Sequence, residues 1–175
     1  MPSSPFGIEM GSPLSDLTII EELGQGKYIV KAPKPHPTFT TYLVQASETY
    51  GIVWIKGIGP EIPNDSYGNA VKATVDKLQG QLEGRYGPSA KSDMLFHDAL
   101  FDEPRDWAMA LIEGERVYFC IWERPSAGEL PDDLKNIFVG ASGIDSSTTN
   151  IVLEYSSPNL EEAENEIDDA NADLL

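Results

Sequence analysis

The sequence predicts an α+β fold: a mainly antiparallel sheet of about eight strands with helices on one face. Three observations carry this. Eight β-favouring runs are set off by Gly- and Asn-containing turns. Val71, Val75, Leu78 and Leu82 recur at spacings of four, three and four, which places them on one side of a single long helix. A second amphipathic stretch follows Pro158-Asn159 at the end of the chain.

The elements follow in order. Residues 1–11 are rich in Pro and Ser and read as an irregular lead-in. Ser12-Pro13 has the form of an N-cap followed by Pro in a first helical turn, so a helix of one or two turns is expected to about Leu17. Thr18–Ile20 and Tyr28–Val30 flank Gly24-Gln25-Gly26 as a hairpin. Pro33, Pro35 and Pro37 alternate and cannot donate to a ladder, so they form an extended connection or a ligand for a proline-recognising groove. Phe39–Ala46 and Ile52–Ile55 make the second hairpin. Asp65 or Ser66 can cap the long helix, which Gly84 and Gly87-Pro88 stop. Ser89–Leu100 is expected to hold a short helix. Trp107–Ile112 and Arg116–Trp122, around Glu113-Gly114-Glu115, read as a third hairpin. Pro131–Leu134 is a helical turn, and Ile137–Ala141 and Asn150–Tyr155 are the last two strands. The final helix carries Leu160, Ala163 and Ile167, has Glu161 and Glu162 at its positive end, and is expected to fray beyond Ala170.

The organisation expected is one domain over 12–170, with a frayed acidic tail at 171–175. Helix, four strands and helix occur twice, over about 12–86 and 90–170, as a repeat of pattern only. In element order alone the chain resembles the tandem α+β folds of the TATA-box-binding and β-lactamase-inhibitor types. No motif residue matches either, so the resemblance implies a topology and no activity.

Composition excludes several functions. Twelve Lys and Arg against 29 Asp and Glu give a net charge of −17, which argues against nucleic acid or an anionic membrane as partner. Residues 158–175 hold seven acids and no base, so −10 remains on the body. That charge serves solubility or complements a basic protein. No run of 18 apolar residues and no basic leader occur, so neither a membrane span nor a signal peptide is expected, and the chain reads as cytoplasmic. The single cysteine, Cys120, lies in a VYFCIW run and reads as a buried hydrophobe. No phosphate-binding loop, dinucleotide fingerprint, His-Glu-x-x-His or Gly-x-Ser-x-Gly elbow is present, and no cofactor is expected.

Two constellations remain. Asp93 and His97 would share a helix face and, with Asp98 and the carboxylates up to Asp106, could hold a divalent metal or an acid/base pair; the alternative is a solvated acidic loop. In the 116–122 strand, Arg116, Tyr118, Cys120 and Trp122 share one face while Val117, Phe119 and Ile121 share the other. The second face is wholly apolar and is expected to pack on helices. The first, with Trp54 from another strand, is a candidate protein-binding surface or a second core layer under 89–106. The function expected is a non-catalytic acidic protein, of inhibitor or immunity type, that masks a basic protein. The alternatives are an enzyme centred on Asp93–Asp106 and a structural accessory subunit.

Overall fold

A computed structural model describes residues 4–124 and 130–175 of the chain. Residues 1–3 of the expected lead-in lie outside the described residues. Eight strands form one antiparallel sheet: β1 (Ile19–Gly24), β2 (Lys27–Val30), β3 (Thr41–Ser47), β4 (Gly51–Ile58), β5 (Ala90–Leu95), β6 (Arg116–Glu123), β7 (Asn136–Asp145) and β8 (Thr148–Ser156). Their order is β1-β2-β3-β4-β8-β7-β6-β5, so β1 and β5 are the edges. Three helices accompany them: α1 (Asn69–Tyr86), α2 (Trp107–Ile112) and α3 (Leu160–Ala172). No helix among the described residues is long and apolar enough to cross a membrane.

Three elements depart from the sequence reading. The helix expected within Ser89–Leu100 is strand β5, which pairs residue for residue with β6 from Ala90 opposite Ile121 to Leu95 opposite Arg116. Partner pairing decides a short segment whose own propensity is weak. The strand expected at Trp107–Ile112 is α2. Its Ala108, Met109, Ala110 and Leu111 are good helix formers, and a 3-10 turn at Pro104–Asp106 leads into it. The helix expected at Pro13–Leu17 is a single 3-10 turn, Leu14–Asp16, and the Ser12 hydroxyl donates to the Glu9 carbonyl at 2.7 Å instead of capping it.

The chain divides into two compact units, 1–57 with 130–137 and 154–175, and 58–129 with 138–153. They do not follow the halves 12–86 and 90–170, since each draws on both. In the first unit, Tyr42, Val44, Ile52, Ile55 and Ile137 are buried, and the Phe6 ring meets Phe39, Tyr42 and Tyr155 edge-on at 5.4, 4.8 and 5.9 Å. α3 packs on β3, with Ala163 buried and half-buried Ile167 set against Gly26 in the β1–β2 turn. In the second unit, α1 buries Val71, Val75, Leu78, Leu82 and Tyr86. Asp65 serves that helix start from four residues upstream. Its carboxylate accepts the Ala70 and Val71 N–H groups at 2.9 and 3.0 Å and the Thr149 hydroxyl at 2.7 Å. Gly68, at φ +73°, closes the turn between them. A Cβ there would lie 2.0 Å from the Trp107 ring, so only glycine lets α1 begin against that indole.

Candidate functional site

β6 sorts its side chains opposite to the sequence expectation. Tyr118, Cys120 and Trp122 are the buried set, at 5, 0 and 0% exposure. The Trp122 indole donates to the Gly87 carbonyl just past α1 at 2.8 Å. The Tyr118 hydroxyl donates to Asp76 on α1 at 2.6 Å, and its ring stands 5.9 Å from that of Trp107 on α2. Of the two readings of this face, binding surface or second core layer, the burial fits the core layer, with α1 and α2 above it in place of the 89–106 loop. Tyrosine and tryptophan bury readily when the polar tip finds a partner, and both do here. Val117, Phe119 and Ile121, expected to pack on helices, point the other way and are half-buried.

That second face is the candidate site. Phe119 stacks on Phe138 of β7 with ring centroids 5.1 Å apart and planes at 32°. The pair depends on Gly140. A Cβ there would lie 2.8 Å from Phe138 Cζ and 3.0 Å from Phe119 Cβ, so any side chain would lift the rings off the sheet. Met94, 50% exposed, lies opposite Val117 and continues the apolar surface towards the β5 edge. A groove of about 360 Å³ lies where the end of α2 meets β6 and β7, and its lining of Leu111, Ile112, Arg116, Val117, Tyr118, Phe119 and Phe138 reaches from the pair to the helix-covered side. Such a lining buries an apolar segment and offers no paired nucleophile and base.

On the helix-covered side the charges are tied to one another. Lys91 Nζ lies 2.8 Å from Asp76 and 4.7 Å from the Tyr118 ring centroid. Burial alone would raise the Asp76 pKa, but hydrogen bonds from Lys91 and Tyr118 outweigh it and hold the carboxyl below its ordinary value. The hydrogen bond to Asp76 raises the Lys91 pKa. Burial, then the bond to Asp76, raises that of Tyr118. Burial likewise pushes the Cys120 thiol up, away from the thiolate a nucleophile needs. Arg116 reaches Asp93 at 3.3 Å, and Lys72 and Arg116 lie 5.0 and 5.7 Å from the Trp107 ring centroid.

The other residues singled out from the sequence fall elsewhere. Trp54 is buried in the first unit, its indole donating to Glu154 at 3.1 Å with Lys27 and Lys56 near the ring, so it presents no anchor. Asp93 sits in β5, whereas His97 and Asp98 pair with each other at 2.9 Å on the exposed loop that follows. The shared helix face on which a metal or acid/base site depended does not exist. Among the described residues no three His, Cys, Asp or Glu side chains stand where they could hold a metal ion. The loop is nonetheless ordered from below, because the Glu115 carboxylate accepts the Leu100 and Phe101 N–H groups at 3.1 and 2.9 Å. A second cleft, of about 420 Å³, lies in the first unit between Leu14, Tyr28, Ala46 and Thr49.

Phe138, Gly140 and Met94 escaped the sequence reading. The Phe-x-Gly alternation in β7 was the available signal: a large ring two residues from a glycine on one face leaves room for a second ring. Comparison of the chain with protein-family models, with curated proteins and with solved structures found no match.

Proposed function

We propose that this chain is a non-catalytic binding protein that masks a basic protein partner through the sheet face carrying Phe119 and Phe138. The observation that supports this reading is the stacked, half-buried aromatic pair on the face turned away from α1 and α2. Aromatic side chains in a partly desolvated patch are the anchors that protein interfaces favour. The net charge of −17 adds long-range attraction for a cationic partner and repels nucleic acid. An inhibitor or immunity-type protein would have these properties. A chain whose one cysteine is buried and unpaired needs no oxidising compartment, and we place it in the cytoplasm.

The test is native affinity purification followed by binding measurements on the identified partner. Phe138→Ser and Phe119→Ala should each weaken binding at least tenfold, while higher salt slows association, because exposed charges are screened within about 10 Å at 0.1 M. A partner with an acidic contact surface, or affinities unmoved by both substitutions, would overturn the reading.

A further inference from the structure

We infer that the chain forms a two-fold dimer by pairing its β5 edge with the β5 edge of a second copy. β5 ends the sheet, and its six residues pair with β6 without a register shift. The other edge is blunted. β1 carries register shifts on both sides of Glu21-Glu22, and bulges with charge are the devices that stop edge-to-edge pairing. β5 has no proline and no such irregularity.

The ladder phase fixes which groups are free. The Phe96 N–H donates to the Glu115 carbonyl at 2.7 Å, directly opposite in the β5–β6 register. Bonded and non-bonded pairs alternate, so Ala90, Ser92 and Met94 direct their backbone groups at β6. Lys91, Asp93 and Leu95 direct theirs outwards, where no described residue meets them.

An antiparallel second copy can then pair outward residues in only a few registers. Centring on Lys91 opposes two lysines, and centring on Asp93 opposes two aspartates. Centring on Ser92 sets Lys91 opposite the partner subunit's Asp93, and by symmetry Asp93 opposite the partner subunit's Lys91. Like charges directly opposite are unfavourable and unlike charges favourable, so charge selects this register. It also sets Met94 beside the partner subunit's Ala90 on the apolar face. Lys91 keeps Asp76 as a second acceptor, and Asp93 keeps Arg116. Repulsion between two acidic chains is screened over about 10 Å at 0.1 M salt, which leaves the contact charges to decide. This inference is independent of the reading given to the Phe119 face.

Sedimentation equilibrium of the full chain tests it. The wild type should have twice the 19.2 kDa chain mass. Lys91→Asp and Asp93→Lys should each be monomeric, since each opposes like charges at both pairs. Their equimolar mixture should give a heterodimer, because every pair is then complementary. Asp93→Pro guards against variants that lose their fold. It removes an outward N–H, keeps the β5–β6 ladder, and should be folded by circular dichroism and monomeric. A monomeric wild type at its highest soluble concentration would overturn the proposal, as would a dimer persisting in folded Asp93→Pro or a charge-variant mixture that stays monomeric.

Discussion

Trp122→Ala and Phe119→Ala remove aromatic rings from opposite sides of one strand, three residues apart, and the structure assigns them unequal costs. Trp122 is fully buried, and its indole N–H is bonded to the Gly87 carbonyl. Burying an aromatic side chain removes about 150–250 Å² from water. At about 25 cal/mol per Å² that is about 4–6 kcal/mol, and truncations of buried aromatics cost about 3–5 kcal/mol. Phe119 is half-buried and makes no polar bond, so the same arithmetic gives about 2–3 kcal/mol. The assay is urea unfolding followed by circular dichroism, read as a change in midpoint at constant slope. Domain stabilities run from about 5 to 15 kcal/mol, so Trp122→Phe, expected to cost about 1–2 kcal/mol, covers the case in which the alanine variant does not fold. If Phe119→Ala costs as much as Trp122→Ala, the assignment of the two faces of β6 is wrong, and with it the candidate site.

Other measurements test neighbouring parts of the argument. Asp65→Ala should cost about 2–4 kcal/mol, because it strands the Ala70 and Val71 N–H groups and the buried Thr149 hydroxyl together; a loss below 1 kcal/mol on the scale of a single cap would refute that role. Tyr118→Phe removes a hydrogen bond that lowers the Asp76 pKa, so the Asp76 carboxyl carbon should titrate at higher pH by NMR, and an unmoved titration would break the linkage. The signs give a pH window as well. Asp76, depressed in the fold, contributes stability above its ordinary value of 3.8 that is lost as pH falls through its folded value. Tyr118 and Lys91, both raised, contribute stability that is complete below their ordinary values of 10.0 and 10.5 and is lost as pH rises through their higher folded values. Deleting Asn171–Leu175 should change unfolding by less than about 0.5 kcal/mol, since all five residues are exposed; a loss above about 2 kcal/mol would show that Leu174 or Leu175 docks.

How much could be read from the sequence follows from where each signal resides. α1 was legible because four apolar residues repeat with the helical period and nothing else in the chain competes for them. The β1–β2 and β3–β4 hairpins were legible from their turns. β5 was not, because Ala-Lys-Ser-Asp-Met-Leu has no strong propensity and becomes a strand by pairing with β6. α2 was missed for the converse reason. Trp107 and Ile112 frame it with strand-favouring residues, and the turn ending at Gly114 looked like a hairpin tip. The expected metal or acid/base site depended on the first of these mistakes, since the Asp93–His97 pair required a helix at β5. The orientation of β6 was a separate failure. Alternation separated its two faces correctly but carried no information on which of them a helix would cover.

The way β6 resolves that ambiguity also bears on function. Tyrosine and tryptophan carry a polar group that costs about 1–3 kcal/mol to bury unpaired, yet they are the residues placed under α1, each with its partner. Phenylalanine carries no such group and gains most from full burial, yet Phe119 and Phe138 are left half in water. Lone exposed apolar side chains such as Leu100 need no explanation. A contiguous set is different: Val117, Phe119, Ile121, Phe138 and Met94 adjoin on one face, and Gly140 gives up a side chain so that two of the rings can lie together. Stability alone would favour a covering element above these rings. On the binding function proposed above, a partner surface would take the place of that element and complete the burial.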